Sequence, residues 1–258
     1  MRLSLKLAVT LFFYLFIALM VVVFSPAVGP AAGFLSYPII ILASLLFIRL
    51  LRLQIPIDGF IVGAVAAGAS MGLVIAVLAL SGEVVMGSLR DNFILIIFNG
   101  IVVQLLVSLG EELSFRASIF QGLRDELGIG VAAVLSAAGF AALHIPSMDL
   151  LGIGASSDLV ALGTIFFTGI VLALLYAYGG LFNAIAFHFV WNFIEYNLFY
   201  MGPLEGAINV SKPGPDILTG GAFGPEASLV TLAVTVLLVI ALWLYYTRAK
   251  KAVGSGST

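Results

Sequence analysis

Apolar residues run through this chain in long blocks separated by short polar connections. Residues 7–24 follow Arg2 and Lys6 as one unbroken apolar run. A secretory leader has a similar shape, but its apolar part spans only about 7–15 residues, so this run is read as a retained first span. Further blocks lie at about 34–51, 59–80, 95–121, 130–146, 159–178, 180–199 and 228–247, each near the roughly 20 residues that cross a bilayer as a helix. The pattern predicts an all-α, polytopic membrane protein, a bundle of about eight transmembrane helices. Residues 1–258 read as a single integral membrane domain, with a flexible end at about 252–258 where Gly and Ser take over. The fourth block is the longest, because apolar character begins at Phe93 and continues past Glu111 and Glu112 to Leu123.

Composition agrees. The chain is 62% hydrophobic and 9% charged, against roughly 25% charged for a soluble domain. The net charge of −2 is unclustered, which leaves no footprint for nucleic acid. There are no cysteines, so disulfides, thiolate nucleophiles and cysteine-based zinc sites are excluded. Lys and Arg set the orientation. With eight spans both termini share a side. Arg2, Lys6, Arg49, Arg52, Arg116, Arg124, Arg248, Lys250 and Lys251 then fall on or near that side, and only Arg90 and Lys212 fall on the other. Nine against two places both termini in the cytoplasm.

Three polar clusters interrupt the apolar blocks. Glu111, Glu112 and Arg116 lie in the fourth. On a helix Glu112 and Arg116 share a face with the acid N-terminal, the favourable order for a pair. Glu111 points about 100° away and stays available. The second cluster is Phe140 and His144. The third is His188 and Asn192, four apart, with Glu195 and Tyr196 continuing along that side. Each has a plain reading. An acidic pair can close a helix at the interface, and His or Asn can hydrogen-bond between transmembrane helices. Trp191 and Tyr196 read as packing or interface anchors.

Depth argues for one site. At 1.5 Å per residue, Glu111 is roughly 15 Å from Gln121, His188 roughly 12 Å and Asn192 roughly 18 Å from the Gly179–Gly180 turn, and His144 roughly 21 Å from Gly130. All four sit in or near the middle third of a core about 30 Å thick. Polar groups on separate helices at one depth cost least facing one another across a wet cavity. A carboxylate and a histidine can hold and deprotonate water, and a second histidine and an amide can donate to the oxyanion formed when water attacks a carbonyl. The set suits amide hydrolysis without a cofactor. Glu111, His144 and His188 also compose a zinc-type ligand set, although no H-E-x-x-H helix is present. Gly68-Ala69-Ser70-Met71-Gly72 fits G-x-S-x-G but lies inside an apolar helix rather than at a strand-to-helix turn. There Gly63, Ala67, Gly68 and Gly72 read as a face for close helix packing.

The three clusters resemble the motifs of the CAAX protease and bacteriocin-processing family, which includes the Ras-converting CAAX endoproteases. E-E-x-x-x-R is matched by Glu111, Glu112 and Arg116, F-x-x-x-H by Phe140 and His144, and H-x-x-x-N by His188 and Asn192. The resemblance covers residues 92–199. It implies an eight-helix intramembrane endopeptidase whose cavity opens toward the cytoplasm. Glu111 would activate water with His144, His188 and Asn192 would hold the oxyanion, and Glu112 and Arg116 would support them. Its partners would be membrane lipid and a peptide or lipidated protein, prenylated CAAX tails among them. The family has been described both as zinc-dependent and as glutamate-type, and the metal-free form is the reading carried forward. A non-enzymatic immunity or scaffold protein is the reading from a different class.

Overall fold

The computed structural model describes residues 4–24, 32–152, 154–199, 201–202 and 206–255. Its helices are α1 (Leu5–Leu19, continued by a π turn Met20–Phe24), α2 (Ala32–Leu51), α3 (Ile61–Leu80) and α4 (Phe93–Glu112). A π-helical segment, Leu113–Phe120, joins α4 to α5 (Gln121–Leu127). There follow α6 (Ile129–Ala142), the short α7 (Ile145–Leu151), α8 (Ala155–Gly179) and α9 (Leu181–Asn192), which runs into a second π segment, Phe193–Leu198. The four-residue α10 (Asp216–Thr219) and α11 (Leu229–Ser255) complete the set. Eight helical rods thus stand where eight spans are expected. Six are long and apolar enough to cross a membrane among the described residues, while the described apolar part of α2, Leu35–Leu51, is shorter.

The rods turn apolar side chains outward. Phe12, Leu42, Val65, Ile94, Phe98, Leu159 and Leu237 are all exposed. Scattered over six of the rods, they suit contact with lipid tails rather than water. The fourth block resolves into one continuous helical run of 35 residues, Phe93–Leu127. At 1.5 Å per residue it is about 52 Å long, well beyond a hydrocarbon core.

The all-α expectation needs one amendment. β1 (Val85–Leu89) and β2 (Ile208–Ser211) pair antiparallel, with Val85 opposite Ser211 and Leu89 opposite Ile208, and the register shifts between Met86 and Leu89. This ribbon ties the connection after α3 to the long connection after α9, so it marks one end of the bundle. Arg90 N–H donates to the Ala207 carbonyl at the same end. The opposite end carries Ser4 and the last turns of α11. There Lys6 pairs with Asp125, Leu181 N–H donates to the Pro56 carbonyl, and Tyr178 stacks on Tyr246. Gly180 makes the α8–α9 turn at this end with φ +87°, and a Cβ there would lie 2.3 Å from the Asp58 carbonyl oxygen. Only glycine meets both demands.

Two apolar clusters hold the bundle. One gathers Met71, Val74, Leu78, Leu172, Leu175, Tyr176, Phe187 and Trp191 where α3, α8, α9 and α11 pack. The other gathers Phe13, Ile17, Ile40, Phe47, Phe115, Ile119, Phe140 and Ile165 around α1, α2 and α6. The closest approach is α3 on α9, where a Cβ on Gly63 would sit 1.9 Å from the Asn183 carbonyl oxygen. Gly63 N–H also donates to Asn183 Oδ1 at 2.9 Å. The small-residue face expected on α3 is therefore only half realised. Gly63 and Ala67 face the bundle, but Gly68 and Gly72 meet nothing within 4 Å. Ser70 is buried and its hydroxyl donates to the Ala66 carbonyl, as helix packing requires.

Candidate active site

The polar clusters lie at the seam between the two apolar clusters, and the buried ion pair is its anchor. Glu112 and Arg116 are 0% and 1% exposed, with Arg116 Nη1 donating to Glu112 Oε1 at 3.1 Å. Arg116 also lies 4.5 Å from the Phe140 ring centroid, a cation–π contact that helps stabilise the guanidinium away from water. This removes Arg116 from the surface charges that set orientation. The same Glu112 Oε1 is 2.8 Å from His188 Nδ1. Since a carboxylate only accepts, Nδ1 carries the proton. One buried acid thus orients both the guanidinium and the imidazole.

Glu111, one residue earlier, faces the other way. Tyr37 on α2 donates its hydroxyl to Glu111 Oε1 at 2.7 Å. Glu111 Oε2 lies 3.7 Å from His188 Nε2. His144 lies in the turn between α6 and α7 and caps α7, within the apolar stretch Ile129–Met148, so Phe140 and His144 do not share one α-helix. Its Nδ1 still lies 2.9 Å from the Phe140 carbonyl. A carbonyl only accepts, so this contact puts the proton on Nδ1 and leaves Nε2 with a free lone pair.

Glu111, His144, His188 and Asn192 line one cavity of about 260 Å³. The sequence brings these four together by depth alone, and the fold brings them together in space. A second cavity of about 280 Å³, with Tyr37 and Ser114 among its lining, meets the first at Glu111, Phe140, His144 and Ser147. Among the described residues no group of three or more His, Asp or Glu stands in a metal-binding arrangement.

Several cavity residues were hidden from the sequence. Tyr37 sits in an otherwise ordinary apolar block. Trp191, read as packing or an interface anchor, is 1% exposed and lines the cavity. Glu226 comes from the Gly- and Pro-rich connection before α11 and reaches the cavity beside Phe223. Burial pushes its carboxyl above the usual carboxylate range, and the Glu111 carboxylate adds to the rise while His144 and His188 oppose it. Behind it Glu195 is fully buried. A carboxylate within a run of glycines is the one sequence signal that singles out Glu226.

The rest of the cavity wall comes from Val103, Gln104 and Val107 on α4, Ser147 and Leu151 on α7, Ile165, Thr168 and Leu172 on α8, and Tyr196 after α9.

No curated protein matches the chain. Residues 93–194 match the family described as type II CAAX prenyl endopeptidase, Rce1-like, and that segment carries Glu111, Glu112, Arg116, Phe140, His144, His188 and Asn192. Over this segment the chain is similar to the Rce1-like type II CAAX prenyl endopeptidases.

Proposed function

We propose that the chain is an intramembrane endopeptidase in which Glu111 activates the attacking water without a metal. The observation that carries this reading is the convergence of Glu111, His144, His188 and Asn192 on one cavity. The lone pair on His144 Nε2 and the Glu111 carboxylate hold the water. Glu111 takes a proton as the oxygen attacks the peptide carbonyl. The developing oxyanion receives hydrogen bonds from Asn192 Nδ2 and from His188 Nε2. With Nδ1–H committed to Glu112, Nε2 donates only when the ring is an imidazolium, and the carboxylates of Glu111 and Glu112 flank that cation. When the C–N bond breaks, Glu111 returns the proton to the leaving nitrogen, so the products are a carboxylic acid and an amine. The substrate is a peptide or lipidated protein tail at the membrane, prenylated CAAX tails included, and lipid is the surrounding partner.

The zinc peptidase and the non-enzymatic scaffold are the rivals. His144→Ala removes a group that touches water rather than packing, so cleavage should disappear while the melting temperature in detergent barely moves. Chelators should leave the wild-type rate unchanged. Loss of activity on chelation, with one zinc per chain on purification, would establish the zinc reading. Retained cellular function in His144→Ala would favour the scaffold.

A further inference from the structure

The mechanism leaves one acid of the cavity without a task. Among the described lining residues the carboxyls are Glu111 and Glu226. Glu226 lies outside residues 93–194, so none of the three motifs reaches it. Other polar groups of the wall are already engaged. Gln104 Nε2 donates to Asn197 Oδ1 at 3.0 Å, and Ser147 Oγ donates to the His144 carbonyl at 2.7 Å.

Glu226 is presented by a built turn. Pro225 opens the 3₁₀ turn Pro225–Ala227. Ala227 N–H donates to the Gly224 carbonyl at 3.0 Å and Ser228 N–H to the Pro225 carbonyl at 2.9 Å, while Ser228 Oγ ties the turn to the Leu218 carbonyl. Gly224 enters it with φ +107°, and a Cβ there would sit 2.8 Å from Glu195 Oε1. Glycine alone lets the turn settle onto that buried acid. Phe223 and Ala227 are buried on either side, whereas Glu226 keeps partial exposure where it lines the cavity. The Trp191 indole interacts with the carboxyls of both Glu195 and Glu226. A group held this firmly loses little freedom when a ligand arrives.

We propose that the Glu226 carboxyl binds the main chain of the peptide that enters the cavity, and so sets how that peptide lies against Glu111. This rests on the endopeptidase reading and adds a substrate contact to it. In an extended strand the N–H and C=O of one residue point to the same side, as they do in a ladder pair. A protonated carboxyl offers one O–H and one carbonyl oxygen, which match that pair, whereas a carboxylate only accepts. Burial, the largest influence on Glu226, favours the proton, and the Glu111 carboxylate acts with it against His144 and His188. The Glu226 O–H donates to the peptide carbonyl, its other oxygen accepts the peptide N–H, and no covalent bond changes.

The test uses a dye-labelled farnesylated CAAX peptide and the purified protein in liposomes. Cleavage kinetics are measured in the wild-type background, and binding of the same peptide in the Glu111→Gln background, where Glu111 cannot take a proton. Glu226→Ala should raise KM about tenfold with kcat within about twofold, and weaken binding by the same factor, as the loss of two hydrogen bonds to bound substrate requires. Glu226→Gln keeps a donor and an acceptor at the same reach, so it should restore both quantities to within about threefold of wild type. Glu226→Asp keeps the acid but falls one methylene short and should behave as Glu226→Ala, and it decides the matter if the alanine variant does not fold. A Glu226→Ala protein that binds and cleaves as wild type overturns the proposal. So does a Glu226→Gln protein no better than Glu226→Ala, since charge and not the donor–acceptor pair would then serve the peptide. If the wild type cleaves nothing while the Glu226 series changes binding as stated, the endopeptidase reading falls and the peptide contact stands. If cleavage proceeds and the whole series matches wild type, the peptide contact falls alone.

Discussion

At the scale of single residues, Glu112 decides more than Glu111. It is fully buried, and its Oε1 serves Arg116 and His188 at once while Oε2 has no partner. Removing one member of a buried ion pair strands the other charge, at a cost of about 3–5 kcal/mol. Arg116→Met should therefore lower the unfolding free energy by that order, measured by denaturation in detergent. Adding Glu112→Gln should recover part of the loss. Tyr37 acts differently, because its hydroxyl holds Glu111 Oε1 and little else. Tyr37→Phe should cost about 10- to 100-fold in kcat through misplacement of the carboxylate. KM and the melting temperature should stay near the wild-type values. The pairing of Glu112 with Arg116 was legible in the sequence, since four residues on a helix bring an acid and a base together. Tyr37 was not, because no local pattern distinguishes a tyrosine that reaches another helix from one that faces lipid.

At the scale of elements, both polar pairs run into π-helical turns, Leu113–Phe120 after Glu112 and Phe193–Leu198 after Asn192. Such turns concentrate at functional sites, and here they carry Arg116, Glu195 and Tyr196. Hydrophobic periodicity does not register them, since every residue of the first π segment is buried and no face stands out. The spans themselves were legible because length and apolarity are enough to place them. The ribbon was not, since its strands of five and four residues lie 119 or more positions apart in pairs such as Leu89 and Ile208. Helix contacts carry the third prediction. Gly63→Val must push α3 off α9, because the new side chain meets the Asn183 backbone. It should destabilise by about 1–3 kcal/mol or more. Gly68→Ala meets open space and should be neutral or stabilising by up to about 1 kcal/mol. Equal losses from the two in thermal unfolding would contradict this packing.

At the scale of the whole molecule, the arrangement follows from the cost of polar groups in a bilayer. Charge that cannot reach water must be paired or must line a cavity. The chain does both within a few residues: Glu112, Arg116 and His188 are paired in the seam, and Glu111, His144 and Asn192 face the cavity. The surrounding rods need only present apolar surface, which explains why the sequence located the site through its polar exceptions. It could not reveal that Glu226 lines the cavity, because that depends on how the connection before α11 folds back over the site. The central claim is that Glu111 moves the proton in peptide hydrolysis. Glu111→Gln keeps the shape and an oxygen for Tyr37 to bond, but it cannot take a proton. The most direct test is the cleavage rate of a membrane-anchored peptide by the purified protein in liposomes, wild type against Glu111→Gln. The account predicts a loss of about 10²- to 10⁴-fold, the contribution of a general base. A Glu111→Gln protein that cleaves at the wild-type rate would contradict it.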